Sequence, residues 1–234
     1  KQKGVVKVSV SIDGSRPEIH DEFRGMKGSF EKAVTGIRNL ISNGIPVQVN
    51  ASVTKRNLSD LKNILGFIKG LGVRSLHIFL LVPTGRGKEL EEEVITPQQY
   101  EEVLEWFSEE SVSSDMDLKA TCAPHYYRIL FQKGNKSAKE DFLKMRTRGC
   151  LAGVGVCFIS AFGEVYPCGY LPVSSGNVKE NGLRQIWEES LLFNKFRDYN
   201  LLKGKCGLCE FKNICGGCRA RAYAKSGDYL EEEP

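Results

Sequence analysis

Four thiols within thirteen residues, Cys206-Gly207-Leu208-Cys209-Glu210-Phe211-Lys212-Asn213-Ile214-Cys215-Gly216-Gly217-Cys218, constrain this chain more than any other stretch. A segment this short and this polar cannot bury an apolar core of its own, so something inorganic or covalent must hold it. Cys150, Cys157 and Cys168 lie upstream, and seven of the eight cysteines therefore crowd into one part of the chain. That grouping points to metal ligation rather than scattered burial.

The remaining sequence sets the chemical context of those thiols. No apolar run approaches the roughly eighteen residues that span a bilayer, and Lys1-Gln2-Lys3-Gly4-Val5-Val6 lacks a signal-peptide pattern, so the expected location is cytoplasmic. A reducing compartment disfavours disulfides and leaves ligation or redox chemistry. At 234 residues, with 41% apolar and 26% charged residues, the chain can bury a sizeable core. The net charge of +4 comes without a basic run or an aromatic-interleaved basic stripe, which argues against nucleic acid.

Residues 5–12 are rich in β-branched residues, end at the turn signal Asp13-Gly14, and read as a strand. A polar loop follows, then a helix over 29–43 with Ser29 as its N-cap and Gly44 behind it. The unit recurs as a strand over 46–53, a helix over 57–71 and a strand over 73–82, whose apolar run Leu76-His77-Ile78-Phe79-Leu80-Leu81-Val82 suits a parallel strand buried on both faces. Thr96-Pro97 opens a helix to about Ser108, 115–120 reads as a short strand, and another helix begins at 121–128. The acidic run 89–93 reads as a solvated loop and 134–139 as a polar loop. Beyond a boundary near 148, 154–159 and 164–168 form a hairpin and 182–199 a helix. The fold class is α/β, followed by an irregular cysteine-rich domain, with divisions at 1–148 and 149–234.

A four-iron cluster takes one thiolate per iron, and CxxC turns present paired sulfurs. Zinc ribbons use similar knuckles but usually separate them by about fifteen to twenty residues, whereas five residues separate Cys209 from Cys215. Spacing therefore favours iron-sulfur over zinc. Seven thiols fall one short of two four-ligand sites. An eighth could lie beyond Pro234, or Cys122 could supply it, or Cys122 could be a small buried hydrophobe.

Ser11-Ile12-Asp13-Gly14, His20-Asp21-Glu22-Phe23-Arg24, Val53-Thr54-Lys55-Arg56-Asn57 and Pro83-Thr84-Gly85-Arg86-Gly87, together with the cysteine tail, resemble the second half of a radical S-adenosylmethionine (SAM) partial (β/α)6 barrel followed by a SPASM auxiliary cluster domain. Within that superfamily, Gly149-Cys150-Leu151-Ala152-Gly153, Tyr166-Pro167-Cys168-Gly169-Tyr170 and Cys218-Arg219-Ala220-Arg221-Ala222-Tyr223 are most similar to tetrapyrrole-modifying members of haem biosynthesis. The resemblance implies SAM and one or two auxiliary [4Fe-4S] clusters as cofactors. It implies Cys150, Cys157, Cys168 and Cys218 as ligands of one cluster, and Cys206, Cys209 and Cys215 as ligands of another. The family's CxxxCxxC loop does not occur in these residues, which therefore read as an internal portion of a longer enzyme, unable alone to generate a radical.

Ser11, Asp13, Asn50, Ser52, Thr54 and Arg24 are the SAM-side candidates, since hydroxyl, amide and guanidinium groups suit ribose and carboxylate recognition. Asp13-Gly14 as a simple turn and Thr54 as a strand cap are the plainer alternatives. His125 suits a substrate proton donor or a haem-iron ligand, or is a packed helix-start histidine. Arg219 and Arg221 could grip propionates or pair with Glu231 to Glu233. The implied activity is oxidative decarboxylation or side-chain removal on a tetrapyrrole, fed by an electron donor such as ferredoxin or flavodoxin. The alternatives are a radical SAM peptide maturase, and an electron-transfer or zinc-binding module without SAM chemistry.

Overall fold

The computed structural model describes residues 4–134 and 148–234. Two compact units emerge, Lys1–Leu81 with Glu92–Thr121 and Val82–Glu91 with Cys122–Pro234. Cys122 and the helix after it thus fall with the cysteine-rich unit, ahead of the position where composition changes. The expected loop at 134–139 lies, past Gly134, outside the described residues.

The first unit is a parallel sheet of β1 (Val8–Ser11), β2 (Val47–Val53), β3 (Ser75–Leu80) and β4 (Asp117–Thr121), ordered as in the chain. The crossovers are α2 (Ser29–Ser42), α3 (Leu61–Gly70) and α4 (Pro97–Ser113). Strict alternation in β2 buries Val47, Val49, Ala51 and Val53 and leaves Gln48, Asn50 and Ser52 half-buried. Those valines join Leu76, Ile78 and Leu80 of β3, Ile37 of α2, Ile64 and Ile68 of α3, and Leu104 and Phe107 of α4 in the core. The α4 helix opens on a capping box in which Thr96 and Gln99 exchange hydrogen bonds.

Several expectations are corrected here. β1 is shorter than 5–12, because Val5 and Val6 are exposed and pair with nothing in the sheet. The polar loop after it contains a helix, α1 (Pro17–Arg24), with Pro17 in its first turn and Gly25 as a left-handed cap. Ser29 is not the N-cap of α2. Asp21 of α1 takes that role from a distance, accepting hydrogen bonds from Gly28 N (2.5 Å), Ser29 Oγ (2.8 Å) and Phe30 N (2.8 Å). Those bonds hold the Asp21 carboxyl below its usual range, against the opposing effect of desolvation. The run in β3 is buried on one face only, since His77 and Phe79 point to the half-exposed side. The acidic run 89–93 belongs to a 3-10 segment, Gly85–Glu93.

In the second unit, α5 (His125–Gln132) precedes a small antiparallel sheet, β5 (Phe158–Ile159), β6 (Glu164–Tyr166) and β7 (Gly176–Asn177). The expected hairpin is present but gains a third strand. The helix expected over 182–199 is two helices, α6 (Leu183–Glu189) and α7 (Leu191–Arg197), broken at Ser190, whose ψ of 125° is not helical. Arg197 fixes the corner by donating to Trp187 O (2.6 Å) and Gly153 O (3.1 Å). Short α8 (Gly204–Leu208) and α9 (Arg219–Ser226) complete the unit. Its apolar interior is divided into one cluster around Leu171, Phe196, Ala220 and Cys218 and another of Val165, Ile186 and Phe193. Among the described residues, no helix is long and apolar enough to cross a membrane.

Candidate functional site

The parallel sheet presents an unusually polar face. Register places Ser11 beside Asn50, Asn50 beside His77 and His77 beside Lys119, while Ser52 pairs with Phe79 and Phe79 with Thr121. Neighbours in register share a face, so four strands contribute one polar row. Both faces of a parallel sheet normally carry apolar residues, and this departure marks a surface available to a polar ligand. No local sequence pattern marks His77 and Lys119, because only strand register reveals their place beside Asn50. Burial holds the His77 imidazole below its ordinary pKa.

At the carboxyl end of β1 and β2 the remaining candidates are joined. Asp13 is fully buried, accepts from Ser52 N through Oδ1 (2.7 Å) and forms an ion pair with Arg24. His20 Nδ1 accepts from Asp13 N (3.0 Å), and burial lowers the His20 pKa. The residue that ties these groups is Asn57, also fully buried. It donates to Asp13 O (2.9 Å) and Ser52 O (2.7 Å) and accepts from Thr54 N (3.0 Å). The Thr54 hydroxyl is buried without a hydrogen-bond partner among the described residues. Asp13 is therefore more than a turn residue, and it and Arg24 engage each other.

In the second unit every cysteine is a free thiol. Cys150, Cys168 and Cys122 pack against the cluster containing buried Cys218, whereas Cys157 packs against the cluster of Val165, Ile186 and Phe193. Cys206 lies in α8, and Cys209 and Cys215 lie between α8 and α9. Backbone amides are aimed at their sulfurs, from Glu233 N to Cys206 Sγ (3.4 Å), Phe211 N to Cys209 Sγ (3.4 Å) and Gly217 N to Cys215 Sγ (3.5 Å). Amides of Ala152 and Arg219 likewise serve Cys150, and those of Tyr170 and Leu171 serve Cys168.

Close backbone pairing links the two groups of thiols. Gly149 N donates to Ile214 O (2.8 Å) and Cys150 N to Cys215 O (3.0 Å). A Cβ at Gly149 would lie 2.1 Å from Cys215 O, so this approach requires glycine. Gly216 and Gly217, at φ 71° and 60°, then turn the chain between Cys215 and Cys218.

Burial raises the Cys150 and Cys168 thiols, and pushes Cys218 up to about 11 and Cys215 up to about 12. Buried thiols served by amide donors suit thiolate ligation, since N–H···S bonds stabilise the anionic sulfur and tune a cluster's potential. Among the described residues, no three His, Cys, Asp or Glu side chains close on a single-ion position. The thiolates of a [4Fe-4S] cluster each bind a different iron, so they do not converge on a single ion. The donor set fits an iron-sulfur group.

Arg219 and Arg221 are 3% exposed, so neither is presented to a ligand's carboxylates. Arg219 donates to Glu231 O (2.8 Å), Tyr229 O (3.1 Å) and Cys206 Sγ (3.7 Å), and Arg221 pairs with Glu233 and donates to Cys122 O (2.8 Å). Glu233 Oε2 also accepts from Cys218 N (2.7 Å) and lies 4.0 Å from His125 Nδ1.

Residues 150–219 match the SPASM iron-sulfur cluster-binding domain. The AdoMet-dependent heme synthase of Methanosarcina barkeri is 51% identical over 236 residues, covering 99% of this chain and 67% of that protein. The AdoMet-dependent heme synthase of Oleidesulfovibrio alaskensis is 48% identical over 243 residues, covering 100% of this chain and 62% of that protein. The chain thus spans about two thirds of the length of these relatives. Its fold is similar to anSMEcpe with bound AdoMet and Kp18Cys peptide (TM-score 0.64, 18% identity, 99% of this chain and 64% of that one). It is likewise similar to Streptococcus suis SuiB bound to S-adenosylmethionine (TM-score 0.67, 14% identity, 97% and 53%). With the polar-faced parallel sheet, the free thiols and the level of identity to the two synthases, the chain belongs to the AdoMet-dependent haem synthase family of SPASM-bearing radical SAM proteins.

Proposed function

We propose that this chain is the cofactor- and cluster-bearing portion of a radical SAM oxidoreductase that removes propionate carboxyl groups from a tetrapyrrole in haem formation. The observation that carries this reading is 51% identity along 99% of the chain to a protein named for haem synthesis. Bound SAM would supply radical chemistry for hydrogen abstraction, and bound auxiliary clusters would supply one-electron redox capacity.

The chain's own residues would bind and orient. Ser11, Asn50 and Ser52 would offer donors and acceptors to SAM along the sheet face, with the Thr54 hydroxyl at its end. Asp13, Arg24 and Asn57 would hold that end of the sheet in shape rather than all contact the ligand, because their polar atoms already engage one another. Cys206, Cys209 and Cys215 would be ligands of one auxiliary cluster and Cys150, Cys168 and Cys218 of another, for which the family resemblance names Cys157 as fourth. His125 would hold a proton for the substrate, with Glu233 Oε2 4.0 Å from its Nδ1. A low-potential donor such as ferredoxin or flavodoxin would supply electrons.

Full-length protein incubated anaerobically with SAM, reductant and an iron porphyrin bearing propionates should release carbon dioxide and yield a product lighter by the lost carboxyl groups. Porphyrin left intact by a protein that cleaves SAM in the presence of a peptide would overturn the tetrapyrrole reading.

A further inference from the structure

Resting on the cluster reading above, we propose that Cys122, in place of Cys157, is the fourth thiolate beside Cys150, Cys168 and Cys218. Three observations carry this. Cys122 packs against the same apolar cluster as the other three sulfurs, whereas Cys157 packs against Val165, Ile186 and Phe193.

The second observation is backbone conformation. Among the described residues Cys122 alone, apart from glycines, has a positive φ, 56°. Glycine or asparagine adopts that region more easily, and a side chain kept there against strain is characteristic of sites where its chemistry is needed.

The third is the way the residue is held. Arg221 Nη2 donates to Cys122 O at 2.8 Å, and the same guanidinium pairs with Glu233, whose Oε2 accepts from Cys218 N. One polar chain thus fixes the backbone of Cys122 and of Cys218 together. Ligation would release the Cys122 thiol proton to solvent and form one iron–sulfur bond.

The test compares full-length wild type with Cys122→Ser and Cys157→Ser, each reconstituted anaerobically, by iron, acid-labile sulfide and Mössbauer area. Cys122→Ser should lose one cluster's share, about four irons per chain, and Cys157→Ser should keep it. Retention by Cys122→Ser, or an equal loss from Cys157→Ser, overturns the assignment. Wild type without iron overturns the cluster reading itself, a different failure. Because a serine at 122 could also unsettle the fold, alkylation of loaded wild type followed by mass spectrometry gives a readout without a variant. Cys157 should be labelled and Cys122 should become labelled only after iron is stripped, and the reverse order overturns the proposal.

Discussion

The two compact units are built on opposite principles. In the first, the residues that specify the fold are the ones that stabilise it, since Val49, Val53, Leu76, Ile78 and Ile37 form strands and a helix by pattern and then bury one another. In the second, strands of two or three residues and helices of five to eight leave the interior divided into small apolar clusters. What it has in addition is buried polar chemistry, the thiols, the Arg221–Glu233 pair and the buried Arg219 guanidinium that donates to Tyr229 O and Glu231 O. The difference teaches that a short-element unit can be specified by its ligands, and that its folding energy is then binding energy.

The comparison breaks most visibly under iron removal. Stripping iron from the full-length protein should abolish hydrogen-exchange protection across the backbone of 149–159 and 206–226 while β2 and β3 stay protected, and equal loss in both units would show that they are stabilised alike. Alkali probes the same contrast in the iron-free form. Its thiols at 215 and 218 sit at about 12 and about 11 against an ordinary 9.0. A raised folded pKa means the stabilisation is complete below pH 9 and is lost as pH rises toward 11 to 12. Thermal unfolding of the iron-free protein should therefore weaken over that window, and a midpoint flat with pH would contradict the burial of these groups.

Single substitutions sharpen the contrast further. Gly149→Ala drives a methyl into Cys215 O and should cost the second unit about 3 kcal/mol, with iron content falling alongside. Asn57→Ala leaves Asp13 O, Ser52 O and Thr54 N without their buried partner and should cost the first unit about 2 kcal/mol in denaturant titration. It should leave auxiliary iron unchanged. Iron lost from the Asn57 variant would mean that the units do not keep their stabilities apart.

Much of the first unit was legible because periodicity is a direct record of which face is buried. Its one missing helix, α1, is short and polar, and its contribution lies in Asp21, which caps α2 from outside that helix. The row Ser11, Asn50, His77 and Lys119 is a property of register, which no local pattern states. In the second unit the spacing of Cys206 to Cys218 announced ligation, but not which thiols meet. Cys122 lies far upstream in sequence beside Ala-Pro, and only the fold sets it against Cys150, Cys168 and Cys218. For Arg219 and Arg221 the sequence leaves propionate binding and pairing with Glu231 to Glu233 equally open, and burial decides for internal bracing, with Arg221 on Glu233 and Arg219 on Glu231 O.

The most direct test of this account is elemental. Full-length protein isolated and reconstituted without oxygen should carry iron and acid-labile sulfide in equal amounts, with zinc at trace level. Stoichiometric zinc without iron would contradict the claim that these thiols are built for iron-sulfur clusters.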